Sequence, residues 1–273
     1  MPPRPGSGDG SSPAAVMARI YDVWLGGTTN YEEDRQEADA IEQLYAGTKL
    51  MVRRGRLWLS RLVTYAARHG ITQYLDLGCG LPIMERRDVG GFRIEGVHAI
   101  AHAVNPGAKV VYVDNEPEVR RHFDAVLAGA DPTIAFIPAD LTDSRGVLAA
   151  AADQSLIDLD QPVCVILAMV LHFFPPAQAK TVAAGYIDRI PPGSLVGISV
   201  GHNSNPCLFS DVRSELSAAP LHNHSKNTIS TFFTGLELEP PGLVQARSWI
   251  GGMEDPKLPT STAYVLAGAG WKR

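Results

Sequence analysis

Tyr74-Leu75-Asp76-Leu77-Gly78-Cys79-Gly80 is the stretch from which the fold of this chain can be predicted. An apolar run typical of a β-strand carries an acid near its end and then breaks into Gly-x-Gly. Glycines at such a break let the backbone turn sharply and approach a bound ligand closely. Because two glycines also occur in ordinary turns between a strand and a helix, the choice between a ligand loop and a plain turn depends on the rest of the chain.

After Gly70 the sequence alternates between strand-like and helix-like segments. The strand-like segments are nearly continuous apolar runs, as expected for a parallel sheet that is covered on both faces. Strands are predicted at 73–77, 109–114, 133–138, 163–168, 194–200, 232–238 and 262–267, and helices at 97–104, 117–127, 145–152 and 177–189. The sequence therefore predicts an α/β fold, a Rossmann-like sheet with helices on both faces.

Before Gly70 the pattern is helical. Apolar spacing and capping signals predict helices over about 13–24, 32–44 and 49–68, the first of them ended by Gly26. The basic cluster of the third helix is interpreted as a solvated face; it comprises Arg53, Arg54, Arg56 and Arg61. We expect a disordered tail over 1–12, a helical extension over 13–70 and a core over 71–273, forming one compact domain.

The composition limits the class of protein. The chain has 273 residues, 45% hydrophobic and 19% charged, as is typical of a globular protein, and its net charge of -5 disfavours a nucleic-acid binder. Its three cysteines are Cys79, Cys164 and Cys207, whose wide spacing fits neither a disulfide framework nor a metal motif. The longest apolar run, 163–171, is too short for a bilayer. We expect a cytoplasmic protein with no membrane or nucleic-acid partner and no metal.

Acids follow three successive predicted strands at their carboxyl ends, where open parallel sheets bind ligands. Asp76 ends the first strand, and Asp114-Asn115 ends the second, where a carboxylate can accept both hydroxyls of a ribose. Asp140-Leu141 follows the third, where a carboxylate can accept an adenine amino group. The fourth strand ends in Ala168-Met169. Together these residues predict a nucleoside-type cofactor.

Two phosphate-bearing classes of cofactor are disfavoured. The third glycine of the dinucleotide fingerprint is replaced by Ile83, and no Gly-Lys-Ser/Thr of a P-loop is present. The next helix begins only near Val97, too far away to hold a pyrophosphate at its N-terminus. An acid-rich pocket instead suits a cofactor that carries positive charge and no phosphate, such as S-adenosylmethionine.

Several of these motifs resemble known proteins. Asp76-Leu77-Gly78-Cys79-Gly80, with Asp114 after it, looks like motif I of class I S-adenosylmethionine-dependent methyltransferases. The stretch from Arg19 to Gly27, with Asn30-Tyr31, is similar to the N-terminal signature of an actinobacterial S-adenosyl methyltransferase family that was formerly a domain of unknown function. The matching segments extend from about Arg19 to Trp249 and include Gly80-Leu81-Pro82, Val111-Tyr112-Val113-Asp114-Asn115, Val170-Leu171-His172-Phe173, Phe233-Thr234-Gly235-Leu236-Glu237 and Pro241-Gly242-Leu243-Val244.

The resemblance implies a seven-stranded, mostly parallel sheet with an antiparallel last strand and an N-terminal lid over the cofactor. The cofactor contacts expected from the strand ends and the resemblance are Tyr21, Gly26, Asn30, Tyr31, Asp76, Gly78, Gly80, Leu81, Asp114, Asn115, Asp140, Leu141, Ala168 and Met169. The aromatic rings of the lid would attract the sulfonium. The segment 83–96 departs from the family by being longer than expected.

The resemblance also implies methyl transfer, with a small-molecule acceptor as the expected partner. His172, just after the fourth strand, is the candidate general base for a hydroxyl or amine acceptor, with a core histidine as the alternative. His222-x-His224 is interpreted as a polar loop, because no third ligand with metal-site spacing accompanies it. Two other functions stay open: a protein that binds S-adenosylmethionine or S-adenosylhomocysteine without transferase activity, and a nicotinamide-dependent oxidoreductase.

Overall fold

A mostly parallel β-sheet organises the chain in the computed structural model, which describes residues 16–127, 131–153, 156–203, 221–249 and 263–273. The described strands are β1 (Gln73–Leu77), β2 (Arg87–Val89), β3 (Phe92–Ile94), β4 (Lys109–Asp114), β5 (Ile134–Pro138), β6 (Cys164–Ala168), β7 (Leu195–Asn203), β8 (Leu236–Leu238), β9 (Val244–Gln245) and β10 (Ala263–Lys272). The predicted tail over 1–12 lies outside the described residues.

The main sheet has the order β5-β4-β1-β6-β7-β10-β8, with β9 also paired to β10. Pairing is parallel from β5 to β7 and antiparallel at β10. The short strands β8 and β9 share the position beyond β10, so eight strands occupy seven positions. The predicted mostly parallel sheet with an antiparallel last strand is confirmed. Strand order reverses at β1, which has β4 on one side and β6 on the other, and open α/β sheets bind ligands at such a switch point.

Helices cover both faces of this sheet, as predicted. They are α1 (Met17–Trp24), α2 (Glu32–Leu44), α3 (Thr48–Arg68), α4 (Val97–His102), α5 (Pro117–Leu127), α6 (Ser144–Asp153), α7 (Pro176–Ile187) and α8 (Lys226–Ser230). On one face α6 and α7 pack over Leu75 and Leu77, and on the other α3, α4 and α5 pack over Tyr74. Alternate side chains of β1 therefore enter two apolar cores. Across the described ranges, no helix combines the length and apolar character that crossing a bilayer requires.

The strand predicted over 232–238 is only partly right. β8 begins at Leu236, whereas Phe232 and Phe233 lie in a 3₁₀ turn after α8. Both rings are buried in the core that contains α7. Aromatic residues favour strands because they fill half-buried surfaces, and a buried turn satisfies them equally well.

The two N-terminal helices, α1 and α2, pack against α3 and against the segment that follows β1. Together they form a third apolar cluster, which includes Ile20, Ile41, Val52, Phe92 and Ile94. A buried ion pair joins α1 to α2, with Arg19 Nε donating to Asp34 Oδ2 at 2.7 Å. Gly26, just after α1, has a φ of +70°, in agreement with its predicted role in ending the helix.

The segment 83–96, which is longer than expected from the family resemblance, contains a β-hairpin that was not predicted. Strands β2 and β3 pair antiparallel around Gly90 and Gly91, whose φ values are +57° and +81°. Two consecutive positive φ values are typical of the tight hairpin turn for which Gly-Gly is a signal. Phe92 and Ile94 are buried in the third apolar cluster. The hairpin therefore connects the loop after β1 to the N-terminal helices.

The arginines of α3 do not form a solvated face, so that prediction is wrong. Arg54 and Arg61 are 8% and 7% exposed. Arg53 Nε donates to the Trp24 carbonyl at 2.8 Å, and Arg56 Nη2 donates to the Glu95 carbonyl at 3.0 Å. These side chains lie between α3 and neighbouring elements because α1 and the hairpin both pack on this helix.

Candidate functional site

A cavity of about 380 Å³ lies at the carboxyl ends of the parallel strands, beside the switch point. We call it the first cavity. The ends of β1, β4, β5 and β6 form one wall, and α1 and α3 form the opposite wall. Its volume falls within the ~300–1,000 Å³ typical of small-molecule sites. Most of the expected contact residues line it: Tyr21, Asp76, Gly78, Gly80, Leu81, Asp114, Asn115, Asp140, Leu141, Ala168 and Met169.

The glycine loop after β1 has a conformation that requires glycine. Gly78 and Gly80 have φ values of +67° and +65°. A Cβ on Gly78 would lie 2.6 Å from Val170 Cγ2, far inside van der Waals contact. The Gly78 and Cys79 N–H groups both donate to the Val113 carbonyl, which holds the loop against the end of β4. The loop thus presents main chain, not side chains, to this side of the cavity.

Asp114, at the end of β4, is held in place by main-chain donors. Its Oδ2 accepts from Gly80 N–H at 2.9 Å, and its Oδ1 accepts from Glu116 N–H at 3.0 Å. Burial raises the pKa of this carboxyl, and the main-chain hydrogen bonds oppose that rise. Each carboxylate oxygen can accept more than one hydrogen bond, so both can also bind a ligand hydroxyl.

Asp76 carries a buried carboxylate oxygen that lacks a partner. The residue is 3% exposed and lies on the cavity wall, and its Oδ2 has no hydrogen-bond partner among the described residues. Burial raises the pKa of Asp76 from 3.8 to about 6, a rise that Arg56 opposes and Asp114 increases. A buried acceptor without a donor is costly, so this oxygen indicates a cationic or N–H-bearing ligand group.

Arg56 is a charged wall residue that was not among the contacts expected from the sequence. Its Nε is buried and has no hydrogen-bond partner among the described residues, while Nη2 binds the Glu95 carbonyl. Burial lowers the pKa of Arg56, and the nearby Asp76 raises it. The helical periodicity of α3 was a signal that could have identified Arg56. Four residues spaced by three and four positions share one face of the helix, and all of them line the cavity: Val52, Gly55, Arg56 and Leu59.

The end of β5 contributes an exposed acid beside an apolar side chain. Asp140 Oδ1 accepts from Thr142 N–H at 2.8 Å, which fixes a turn, and Leu141 is 8% exposed. A planar base could pack on Leu141 with its polar edge toward the free lone pairs of Asp140. Asn115 is exposed at the rim beside Asp114.

Met169, directly after β6, has a left-handed backbone conformation. Its φ is +57°, which non-glycine residues rarely adopt. The Met169 N–H donates to the Ser199 carbonyl at 2.9 Å and lies 3.2 Å from Ser199 Oγ. Such strain is concentrated at functional sites, where the surrounding structure enforces it. Ala168 and Met169 line the cavity on the side opposite Asp114 in the strand order.

The predicted lid residues divide into two groups. Tyr21 lines the cavity, whereas Gly26, Asn30 and Tyr31 are not among its described lining residues. Asn30 Nδ2 donates to Asp22 Oδ2 at 2.9 Å, and the Tyr31 ring lies 4.9 Å from the Arg19 guanidinium carbon. These three residues shape the segment between α1 and α2 instead.

The hairpin attaches α1 over the cavity. Arg87 lines the cavity and donates to Asp22 Oδ1 at 2.9 Å, and Asp22 also accepts from Thr29 N–H. A Cβ on Gly26 would lie 2.4 Å from Val89 Cγ2, so glycine is needed where the two segments meet. The cover of the cavity thus depends on contacts with residues that follow the glycine loop.

His172, the expected base, lies outside the first cavity. It is 6% exposed and lines a second cavity of about 60 Å³. His222-x-His224 lies in a loop, as interpreted, but His224 is buried there, with its ring against Phe232 and Nε2 3.2 Å from the Leu171 carbonyl. In the described part of the chain, no three His, Cys, Asp or Glu side chains form a group that could hold a metal ion.

Comparison with known proteins agrees with this geometry. A profile of the S-adenosyl methyltransferase family matches residues 8–273. A solved structure of a DUF574 family protein from Streptomyces avermitilis is 28% identical with a TM-score of 0.84, and the match covers 95% of this chain and 98% of that one. A candidate methyltransferase from Thermobifida fusca is 31% identical with a TM-score of 0.82, covering 95% and 96%.

More distant similarity shows the fold alone. The magnesium protoporphyrin IX methyltransferase of Synechocystis, solved with S-adenosylhomocysteine, is 12% identical with a TM-score of 0.50, and the match covers 89% of this chain and 95% of that one. No match was found among curated proteins. Because the family profile spans nearly the whole sequence, this chain belongs to the S-adenosyl methyltransferase family, and its cofactor is S-adenosylmethionine.

Proposed function

We propose that this protein transfers a methyl group from S-adenosylmethionine to a small-molecule acceptor, and that the amino-acid end of the cofactor lies between Asp76 and Arg56. The observation that carries this proposal is a pair of buried polar atoms without partners among the described residues, one from each wall of the first cavity: Asp76 Oδ2 and Arg56 Nε. The cofactor's ammonium can donate to the carboxylate, and its carboxylate can accept from the guanidinium. Both hydrogen bonds are charge-assisted, which makes them the strong kind.

The remaining wall residues suit the adenosine end. Asp114, oriented by two main-chain donors, accepts the two ribose hydroxyls with Asn115 beside it. Asp140 accepts the adenine amino group, and Leu141 packs on the base. Gly78, Gly80 and Leu81 let the nucleoside lie close to the main chain.

When bound, the cofactor supplies a methyl carbon on a positively charged sulfur, which departs with the bonding electrons as a neutral thioether. The protein therefore needs no nucleophile of its own; it holds the reactants in line and excludes water. Tyr21 lines the cavity, and its aromatic ring is suited to cover the sulfonium because an aromatic ring attracts a cation. Ala168 and Met169 line the cavity at the end of β6 and pack against the cofactor from that side.

The test is calorimetric titration with S-adenosylmethionine, S-adenosylhomocysteine and NADH. We expect both adenosyl ligands to bind and Asp114→Ala to weaken them at least roughly tenfold, the scale of one charged hydrogen bond. The matched control is Asp124→Ala, an exposed acid on α5 that does not line the cavity. Binding of NADH without S-adenosylmethionine would refute the proposal.

Adenosine, which lacks the amino-acid end, separates the two halves of the assignment. Arg56→Met should weaken S-adenosylhomocysteine at least roughly tenfold and leave adenosine within about twofold. Asp114→Ala should weaken both ligands. Equal losses of both ligands in Arg56→Met would contradict the position proposed for the amino-acid end. Arg120→Met, an exposed arginine of α5, serves as the control.

A further inference from the structure

The second cavity adjoins the first. Four residues line both: Met17, Tyr21, Val52 and Phe173. These shared residues lie where the two cavities meet, and His172 lines only the second cavity. A molecule in the second cavity would therefore meet the contents of the first across Tyr21 and Phe173.

The wall of the second cavity presents mostly apolar surface and no formal charge among the described residues, although Thr48, His202 and Asn203 also line it. Its lining includes Trp24, Ile41, Tyr45 and Met51, and none of the described lining residues is Asp, Glu, Lys or Arg. A charged group without a counter-ion is strongly disfavoured in such a place. The lining therefore selects an uncharged, apolar group.

One polar atom in this wall lacks a partner. His172 Nδ1 is buried and has no hydrogen-bond partner among the described residues. Burial first, and then His224 and His222, lower the pKa of His172 from 6.5 to about 3, so its ring is neutral near pH 7. A neutral imidazole has one nitrogen that accepts a hydrogen bond. An unpaired ring nitrogen in an apolar cavity indicates a ligand with one hydroxyl group.

We propose that the second cavity holds the hydroxyl-bearing end of an uncharged aromatic acceptor, a phenol, whose O–H donates to His172 Nδ1. This inference rests on the proposed function. A cavity of about 60 Å³ is smaller than the ~150 Å³ that encloses benzene. Only the hydroxyl edge of the ring thus fits inside, and the remainder extends toward Tyr21 and Phe173.

His172 is then a specificity residue that touches the acceptor directly. It holds the hydroxyl group at the end of the acceptor that lies away from Tyr21 and Phe173, so the methyl-accepting atom belongs to the end that faces the first cavity.

The test uses phenol as a probe, with toluene and benzoate as matched compounds, on protein saturated with S-adenosylhomocysteine. Binding is followed by tryptophan fluorescence, since Trp24 lines the cavity. We expect phenol to bind more tightly than toluene and benzoate to bind most weakly. His172→Ala should weaken phenol at least roughly tenfold and toluene within about twofold. His69→Ala, an exposed histidine at the end of α3, is the control.

A spectroscopic measurement covers the case in which His172→Ala does not fold. In wild-type protein with ¹⁵N-labelled histidine, phenol should shift the ring-nitrogen resonances of one histidine, and toluene should not. Phenol that binds no better than toluene, or shifts no histidine resonance, overturns this inference. Absence of S-adenosylhomocysteine binding overturns the proposed function itself, so the two failures are distinguishable.

Discussion

The two cavities differ in how they are built, although α1 covers both. The first is formed by strand ends and carries charged groups whose atoms lack partners, Asp76 and Arg56. The second is formed by α1, α2, α3 and β7, and its unpaired polar atom belongs to a neutral ring, His172. The first cavity is thus suited to a ligand that carries a positive and a negative group, and the second to an uncharged ligand. The difference indicates separate sites for cofactor and acceptor.

The largest expected effect is a loss of folding stability in Gly78→Ala, which measures how rigid the glycine-loop wall of the first cavity is. Gly78→Ala places a Cβ 2.6 Å from Val170 Cγ2 at a φ of +67°. We expect the free energy of unfolding, measured by denaturant titration without ligand, to fall by about 3 kcal/mol, the sum of overpacking and left-handed strain. Gly80→Ala is the control, because its φ is +65° but no atom lies within 4 Å of its Cβ. Equal losses of stability in the two variants would show that Val170 moves aside at little cost, so that this wall is not rigid.

The buried titratable groups of the two cavities should make the stability of the protein depend on pH in opposite directions. Asp76 has a pKa raised from 3.8 to about 6, so the unfolded chain loses this proton first and stability falls as pH rises from about 4 to 6. His172 has a pKa lowered from 6.5 to about 3, so the unfolded chain gains a proton first and stability falls as pH drops below about 6.5.

Neutral variants should therefore stabilise the ligand-free protein at opposite ends of the pH range. We expect Asp76→Asn to raise the free energy of unfolding by about 3 kcal/mol at pH 7.5 and hardly at all at pH 4. His172→Gln should raise it by about 2 kcal/mol at pH 5 and hardly at all at pH 7.5. Denaturant titrations at the three pH values measure both. Parallel pH profiles for the two variants would remove the contrast between the cavities.

The smallest effect concerns the cover that the two cavities share. Arg87→Ala removes the ion pair to the buried Asp22, which keeps its hydrogen bonds from Thr29 and Asn30. We expect a loss of about 1 kcal/mol and roughly threefold weaker binding of both S-adenosylhomocysteine and phenol. Arg86→Ala, whose partner Asp88 is exposed, is the control and should change neither affinity. Weakening of one ligand alone would show that α1 covers only that ligand's cavity.

The sheet and the acidic wall could be predicted because both follow from local sequence. Apolar runs locate strands, and the carboxyl ends of parallel strands meet at one edge, so Asp76, Asp114 and Asp140 necessarily lie near one another. That reasoning needs no knowledge of how distant segments pack. Asn30 hydrogen-bonds to Asp22 and the Tyr31 ring lies over the Arg19 guanidinium, contacts between side chains that the strand pattern does not reveal.

The residues that were misread depend on contacts between distant segments. Arg56 belongs to a cluster that looks solvated from sequence, because neither the hairpin nor α1 is visible in the pattern of α3. The hairpin itself had a readable signal in Gly90-Gly91, but its strands are three residues long. His172 was placed correctly after β6, yet the side on which its ring lies depends on α1, α2 and β7.

The hairpin has a consequence for the order in which the molecule assembles. The third apolar cluster joins Ile20 and Ile41 to Phe92 and Ile94, which are made more than fifty residues later. During synthesis α1 and α2 leave the ribosome first, but this cluster cannot close until the hairpin has been made. Contacts so distant in sequence form late because the loop between them must be ordered first. The cover of the cofactor cavity, encoded at the beginning of the chain, is therefore completed only after the glycine loop.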